Sequence, residues 1–240
     1  MESGIVIIPT YNEIENIKEI VEAVMSLPNN FHVLVVDDNS PDGTASLVYQ
    51  LQLQYSERLF LEVREGKSGL GTAYVHGFKW ALQRSYDYII EMDADFSHNP
   101  LDLPRLLEVC KKSADVAIGS RYVTGVNVVN WPLNRVLLSY FASVYVRLIT
   151  GMEIKDTTAG FVCYRRKVLE TIDLNKIRFV GYAFQIEMKY RAYAKKFVIE
   201  EVPIIFTDRT KGQSKMSKGI IREAILGVIV LRFKQLVNRL

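Results

Sequence analysis

Two carboxylates one residue apart, Asp93 and Asp95, close the apolar run Tyr88–Met92. In an extended chain, residues two apart point the same way, so both acids can face one ligand. Mg²⁺ and Mn²⁺ favour oxygen ligands and often bridge a protein carboxylate to substrate phosphates. Asp-Ala-Asp ahead of Asn99-Pro100 is also ordinary turn chemistry. What favours a metal is company, because other apolar runs in this half of the chain also end in acidic or small polar residues. Asp37-Asp38-Asn39-Ser40-Pro41-Asp42-Gly43-Thr44 reads as a turn and helix cap built by Pro41–Thr44. Asp38 is then placed to accept from ribose hydroxyls or base N–H groups. In Pro9-Thr10-Tyr11-Asn12-Glu13, Tyr11 can flank a flat base, and Glu13 can cap a helix or meet a base edge.

Cations form a second set. Arg121 and Arg135 can each clamp a phosphate through the guanidinium fork, or simply be surface charges. Asp208–Lys215 mixes cations with glycine and small residues, as either a loop closing on a diphosphate or a solvated linker. Gly66–Gly71 resembles a phosphate loop only superficially. A Walker A spacing needs glycine at 61, where Leu61 stands, and Tyr74 replaces the last glycine of G-x-G-x-x-G. A tight, flexible loop beside the pocket fits better. His98 reads as a turn residue and His32 as structural.

The elements that must position these groups alternate. Strands are expected at Ile5–Ile8, His32–Val36, Leu59–Arg64, Tyr88–Met92 and Val116–Ile118. Helices at Ile14–Leu27, Thr44–Tyr55, Gly71–Arg84 and Leu101–Lys112 carry apolar residues at helical spacing. Such alternation means an α/β fold with a mostly parallel sheet flanked by helices, and ligands bind beyond the carboxyl ends of its strands. Further on come a long helix at Trp131–Thr150, strands at Phe161–Tyr164 and Phe197–Val202, and a helix at Ala183–Lys195.

Composition narrows the class. Of 240 residues, 49% are hydrophobic and 24% charged, which is ordinary for a globular domain. Cys110 and Cys163 lie too far apart for a zinc motif and suggest a reducing compartment, while three histidines exclude a His-rich metal centre. The first residues do not read as a signal peptide, and no stretch has the roughly 18–20 apolar residues a bilayer span needs. From Ile205 onward eight Lys and Arg face only Asp208 and Glu223, so an anionic partner is expected at that end. Within this basic end, 217–240 forms an amphipathic helix. Its apolar residues at 221, 224, 225, 228, 233, 236, 237 and 240 make one face, with Arg222, Arg232, Lys234 and Arg239 opposite. It can lie in a membrane interface, or pack on the protein's own core or on a partner.

The ordered set PTYNE, VVDDNSPDGT, GLGTAYVHG, MDADFSHNP, GSRYV, GYAFQIEM and VPIIFTDRTKGQSK covers nearly the whole chain. With it the sequence resembles the family 2 glycosyltransferases of the GT-A fold, and among them the dolichyl-phosphate mannose synthases of the short type without transmembrane helices. The resemblance implies a catalytic domain at 1–216 followed by the 217–240 helix. It implies that Pro9, Tyr11, Glu13, Val36 and Asp38 hold the nucleoside and that Asp93 and Asp95 ligate Mg²⁺ or Mn²⁺, with Ala94 lending backbone. Arg209 and Lys215 would bind the nucleotide phosphates, Arg121 and Arg135 the lipid phosphate, with Arg121 also touching the nucleotide-sugar, and Val180 would line the pocket. Ser97 stands where some members carry a Gln ligand, so the third metal ligand stays open. Val162 replaces a usual Arg.

The implied reaction moves mannose from GDP-mannose to dolichyl or polyprenyl phosphate with inversion, on the cytoplasmic face of a membrane to which the chain binds peripherally. A small membrane-anchored partner is compatible with this; nucleic acid is not expected. An ionised phosphate needs no general base to attack, which suits the lack of a well-placed histidine. Two alternatives are a UDP-sugar donor such as UDP-glucose on the same fold, and a non-catalytic subunit that binds nucleotide-sugar.

Overall fold

In the computed structural model, residues 3–181, 183–209, 227–235 and 237 are described. Strands β1 (Gly4–Thr10), β2 (His32–Asp37), β3 (Leu59–Val63), β4 (Tyr88–Glu91) and β5 (Val116–Ser120) form where strands were expected. Between them lie α1 (Ile17–Met25), α2 (Thr44–Gln52), α3 (Leu70–Leu82) and α4 (Leu103–Lys112). They are followed by β6 (Val128–Val129), α5 (Leu133–Thr150), β7 (Val162–Arg165), α6 (Arg166–Thr171), α7 (Ala183–Ala194), β8 (Ile199–Pro203) and β9 (Phe206–Thr207). A final helix, α8, occupies 227–235.

The seven-stranded sheet has the order β3-β2-β1-β4-β7-β5-β8. All pairings are parallel except those of β7, which runs antiparallel between β4 and β5. The expected α/β fold with a mostly parallel sheet is therefore present. Inserting β7 brings the Asp156–Phe161 segment that precedes it alongside the ends of β4 and β5, where ligands bind. Both faces are covered, which is why β1 and β2 read as unbroken apolar runs. Ile5, Ile7, Leu34 and Val36 pack towards α3 and α7, while Val6, Ile8, Val33 and Val35 pack towards α1, α2 and α4.

Apart from the short helix α6, which the sequence reading did not expect, two features depart from it. β6 and β9 make a separate two-stranded parallel sheet, too short to leave a period in the sequence. In α8 the expected single apolar face is divided. Val228 and Leu231 are buried in the body's core and the Tyr190 hydroxyl donates to Gln235, while Ile229, Val230 and Phe233 are exposed, as is Val237 just beyond. The helix is apolar on two sides, so a list of apolar positions could not say which side packs inward. The 216/217 boundary and the rest of the expected helix lie outside the described residues. Among those described, no helix is long and apolar enough to cross a membrane.

Candidate active site

The carboxyl ends of β1, β2 and β4 open into a cavity of about 300 Å³. Pro9, Tyr11, Glu13, Asp38, Asp93, Ala94, Asp95, Val180 and Arg209, all expected at a nucleotide site, line it. Within the second strand's acidic cluster the labour is divided. Asp37 is spent on structure, accepting from Thr10 Oγ1 at 2.7 Å and from the Ser40 N–H at 2.8 Å. Asp42 accepts from the Thr44 N–H at 3.0 Å and the Ile14 N–H at 3.1 Å, tying the turn to the start of α1. Asp38 faces the cavity, and Arg64 Nε donates to its Oδ1 at 2.6 Å. Arg64, which no motif singled out, thereby holds one oxygen of that carboxylate.

Glu13 sits at the start of α1. Its carboxylate accepts from Asn16 Nδ2 at 2.9 Å, and its carbonyl takes the first helical N–H groups. Lys67 lies 4.7 Å from the centre of the Tyr11 ring. In the Gly66–Gly71 loop, Gly69 lines the cavity with φ +100°, a conformation natural to glycine. Two residues expected at the nucleotide-sugar do not line this cavity, Arg121, which lines the one adjoining it, and Val36. Val36 is fully buried in the core on the α3 side of the sheet and lines neither cavity, because the side-chain alternation of β2 turns it inward. Lys215 lies outside the described residues.

A second, largely apolar cavity of about 370 Å³ adjoins the first, under α5. Trp131, Leu138, Phe141, Tyr145 and Phe206 supply its apolar wall, and Arg121 and Arg135 its positive charge. Arg121 is fixed by Asp156, whose Oδ2 accepts from Nε at 2.7 Å and whose Oδ1 accepts from Nη2 at 2.6 Å; Thr158 Oγ1 also accepts from Nη2 at 2.8 Å. Burial alone would raise the Asp156 carboxyl, but the Arg121 guanidinium holds it below the usual carboxylate range. Asp156 lies 35 residues from Arg121, and nothing in the intervening sequence marks the pair. Arg135 pairs with Asp208 at 2.8 Å and stacks 4.0 Å from the Trp131 ring centre.

Leu70, Asp93, Asp95 and Arg209 line both cavities. Asp95 accepts from the Ser97 N–H with Oδ1 at 3.1 Å and meets Arg209 Nη2 with Oδ2 at 2.9 Å. Asp93 is raised to about 7, first by burial and then by the neighbouring Asp95 charge. An acid whose ionisation is opposed by its neighbour's charge suits a cation between the two, and an all-oxygen donor set fits Mg²⁺ or Mn²⁺. Among the described residues no third His, Cys, Asp or Glu completes a cluster, so remaining positions would fall to substrate phosphate oxygens and water.

His98 is more than a turn residue. Its Nδ1 accepts the Asp93 N–H at 3.1 Å, and its ring stacks on Phe161 with centroids 4.9 Å apart. Burial lowers its pKa to about 4, so it is neutral at pH 7. Below the cavities, Lys189 Nζ donates to the Ala159 carbonyl at 2.5 Å and to Gln185 Oε1 at 3.3 Å. Gln185 Nε2 in turn donates to Glu91 Oε2 at 2.6 Å. This buried layer braces the end of β4 against α7 and the Gly160 turn.

A cavity lined by several charged side chains adjoins an apolar, cationic one, and the two share a pair of acids, as a transferase with two unlike substrates requires. The chain belongs to the glycosyl transferase family 2, which matches residues 5–173. It is 50% identical over 224 residues to a polyprenol monophosphomannose synthase of Mycolicibacterium smegmatis, covering 93% of this chain and 84% of that one. It is 45% identical to an undecaprenyl-phosphate mannosyltransferase of Micrococcus luteus, over 92% of this chain and 90% of the other. In fold it is similar to glucosyl-3-phosphoglycerate synthase of Mycobacterium tuberculosis, solved with Mn²⁺, uridine diphosphate and glucosyl-3-phosphoglycerate. That similarity has a TM-score of 0.66 at 16% identity, over 98% of this chain and 80% of the other.

Proposed function

We propose that the chain transfers mannose from GDP-mannose to a polyprenyl phosphate, with inversion at the anomeric carbon and with Mg²⁺ or Mn²⁺ bound at Asp93 and Asp95. The observation that carries this reading is the junction of the two cavities at Asp93, Asp95 and Arg209. The nucleotide takes the cavity lined by Tyr11, Glu13, Asp38 and Lys67, and the lipid phosphate with its first isoprene units takes the cavity under α5, so the reacting atoms meet where the cavities join. The relatives' names agree on mannose and on a polyprenyl acceptor.

Each residue then has a task. Asp38, Tyr11 and Glu13 orient the nucleoside from the ends of β1 and β2. Arg209 leaves Asp95 to meet the diphosphate, whose charge grows as the bond to the sugar breaks. Arg121 and Arg135 hold the acceptor phosphate with one oxygen aimed at the anomeric carbon. That oxygen is already ionised at neutral pH, so no side chain needs to take a proton, and neutral His98 serves by holding the Asp93 main chain. The divalent ion, when bound, stabilises the leaving diphosphate. One oxygen–carbon bond forms as the other breaks, and the products are polyprenyl phosphomannose and GDP.

Peripheral membrane association follows from the acceptor. Leu133, Leu137, Leu138 and Phe141 are exposed on α5 beside the acceptor cavity, and Ile229, Val230, Phe233 and Val237 are exposed on and just after α8. Both can enter the headgroup boundary on the cytoplasmic face. The deciding experiment offers GDP-mannose and UDP-glucose together with polyprenyl phosphate and Mn²⁺. Polyprenyl phosphomannose is the expected product. A glucosylated lipid as the main product would overturn the donor assignment, and no transfer from either would favour a binding subunit.

A further inference from the structure

We infer that Asp208 is a positioning residue that makes admission of the acceptor depend on loading of the donor. The inference rests on the reading of Arg135 as a receiver of the lipid phosphate. Asp208 and Arg209 are neighbours with opposite charges, and each occupies a group that a substrate or metal needs. Both carboxylate oxygens of Asp208 lie 2.8 Å from Arg135 Nη1. Arg209 Nη2 lies 2.9 Å from Asp95 Oδ2. A phosphate arriving at Arg135 competes with the Asp208 carboxylate, and a divalent ion arriving at Asp95 competes with the Arg209 guanidinium.

The two pairings are mechanically joined. One trans peptide links the residues, with Cα atoms about 3.8 Å apart. The Arg209 N–H also donates to Asp208 Oδ1 at 3.2 Å. The strand before them is anchored, with the Phe206 N–H on the Asn127 carbonyl at 3.0 Å and the Asp208 N–H on the Val129 carbonyl at 3.1 Å. The chain up to Asp208 is thus held in place. Turning Arg209 from Asp95 towards a diphosphate loosens the same carboxylate that neutralises Arg135. The donor and its metal therefore unmask the acceptor's cation, and the donor binds first. The order has a chemical use: a lipid phosphate is itself a ligand for a divalent ion, and early arrival would block the donor's place.

The test measures the affinity of the full chain for polyprenyl phosphate in detergent micelles, with and without GDP plus Mn²⁺, for wild type, Asp208→Asn and Arg135→Met. Wild type is expected to bind the acceptor about five- to tenfold more tightly when GDP and Mn²⁺ are present, a normal size for coupling between sites. Asp208→Asn should bind without the nucleotide about as well as wild type does with it, so its ratio falls to near one. If Asp208→Asn keeps the wild-type ratio while Arg135→Met loses acceptor affinity, Arg135 is a phosphate receiver and the Asp208 link is wrong. If Arg135→Met leaves acceptor affinity unchanged, the underlying assignment of Arg135 fails, and the inference with it. Unfolding midpoints of the three proteins, expected within a few degrees, separate these outcomes from loss of the fold.

Discussion

Asp95 spends one oxygen on the Ser97 N–H and the other on Arg209, so its carboxylate is aimed before any ligand arrives. Asp95→Ala should cost several orders of magnitude in turnover, because a metal contributes several kcal/mol at a developing charge. Steady-state rates with Mn²⁺ check this, and retention of activity in excess chelator would refute the metal. Asp93 carries the pH dependence. Its carboxyl is raised from 3.8 to about 7 in the folded chain, so folding favours its protonated form. Without metal, the cost of ionising it is absent below about pH 4 and develops as pH rises towards 7. A bound cation removes that cost, so Mn²⁺ should raise the melting temperature more at pH 8 than at pH 5.5. Equal shifts at both pH values would contradict the assignment. Arg121→Lys is not conservative, since a point charge cannot replace the fork held by Asp156 and Thr158. Acceptor KM should rise while donor affinity holds, and the protein should lose stability through the weakened buried pair. An unchanged acceptor KM would remove Arg121 from the acceptor site.

The N-terminus of α3 is set by two close approaches. The Gly71 N–H donates to the Val180 carbonyl at 2.8 Å, and a Cβ at Gly71 would lie 2.7 Å from the Phe179 carbonyl oxygen and 2.8 Å from the Phe184 side chain. Gly71→Ala should therefore destabilise the protein by about 1–3 kcal/mol, as overpacking does. It should also raise donor KM, because Gly69, Leu70 and Val180 line the nucleotide cavity. Urea unfolding and donor titration measure both; an unchanged midpoint would mean that α3 and the Phe179 segment are free to separate.

At the scale of the molecule, membrane docking must be tested without removing α8, because Val228 and Leu231 belong to the core. A truncation near Lys218 would disturb folding and docking together. Phe233→Ser and Leu137→Ser change only exposed side chains. Each should reduce co-sedimentation with anionic liposomes at low salt while leaving the melting temperature nearly unchanged, since exposed substitutions cost little. If neither alters co-sedimentation, the exposed faces of α5 and α8 do not carry the docking.

Short-range information settled much of this protein. The periods of the apolar runs specified β1 to β5 and the helices between them, and the polar residues closing those runs marked the ligand end of the sheet, because backbone direction alone puts them there. Asp38, Asp93 and Asp95 were legible for that reason. Pairings across long separations were not. Asp156 beneath Arg121, Arg64 on Asp38 and the Lys189–Gln185–Glu91 layer join segments 26 to 94 residues apart, and no local period records such a partner. Val36 shows the same limit, because its motif is contiguous with Asp38 while the strand's alternation sends its side chain to the core. Helix α8 shows the limit most simply: being apolar on two sides, it took its orientation from the surface it met, and only the folded body supplies that surface.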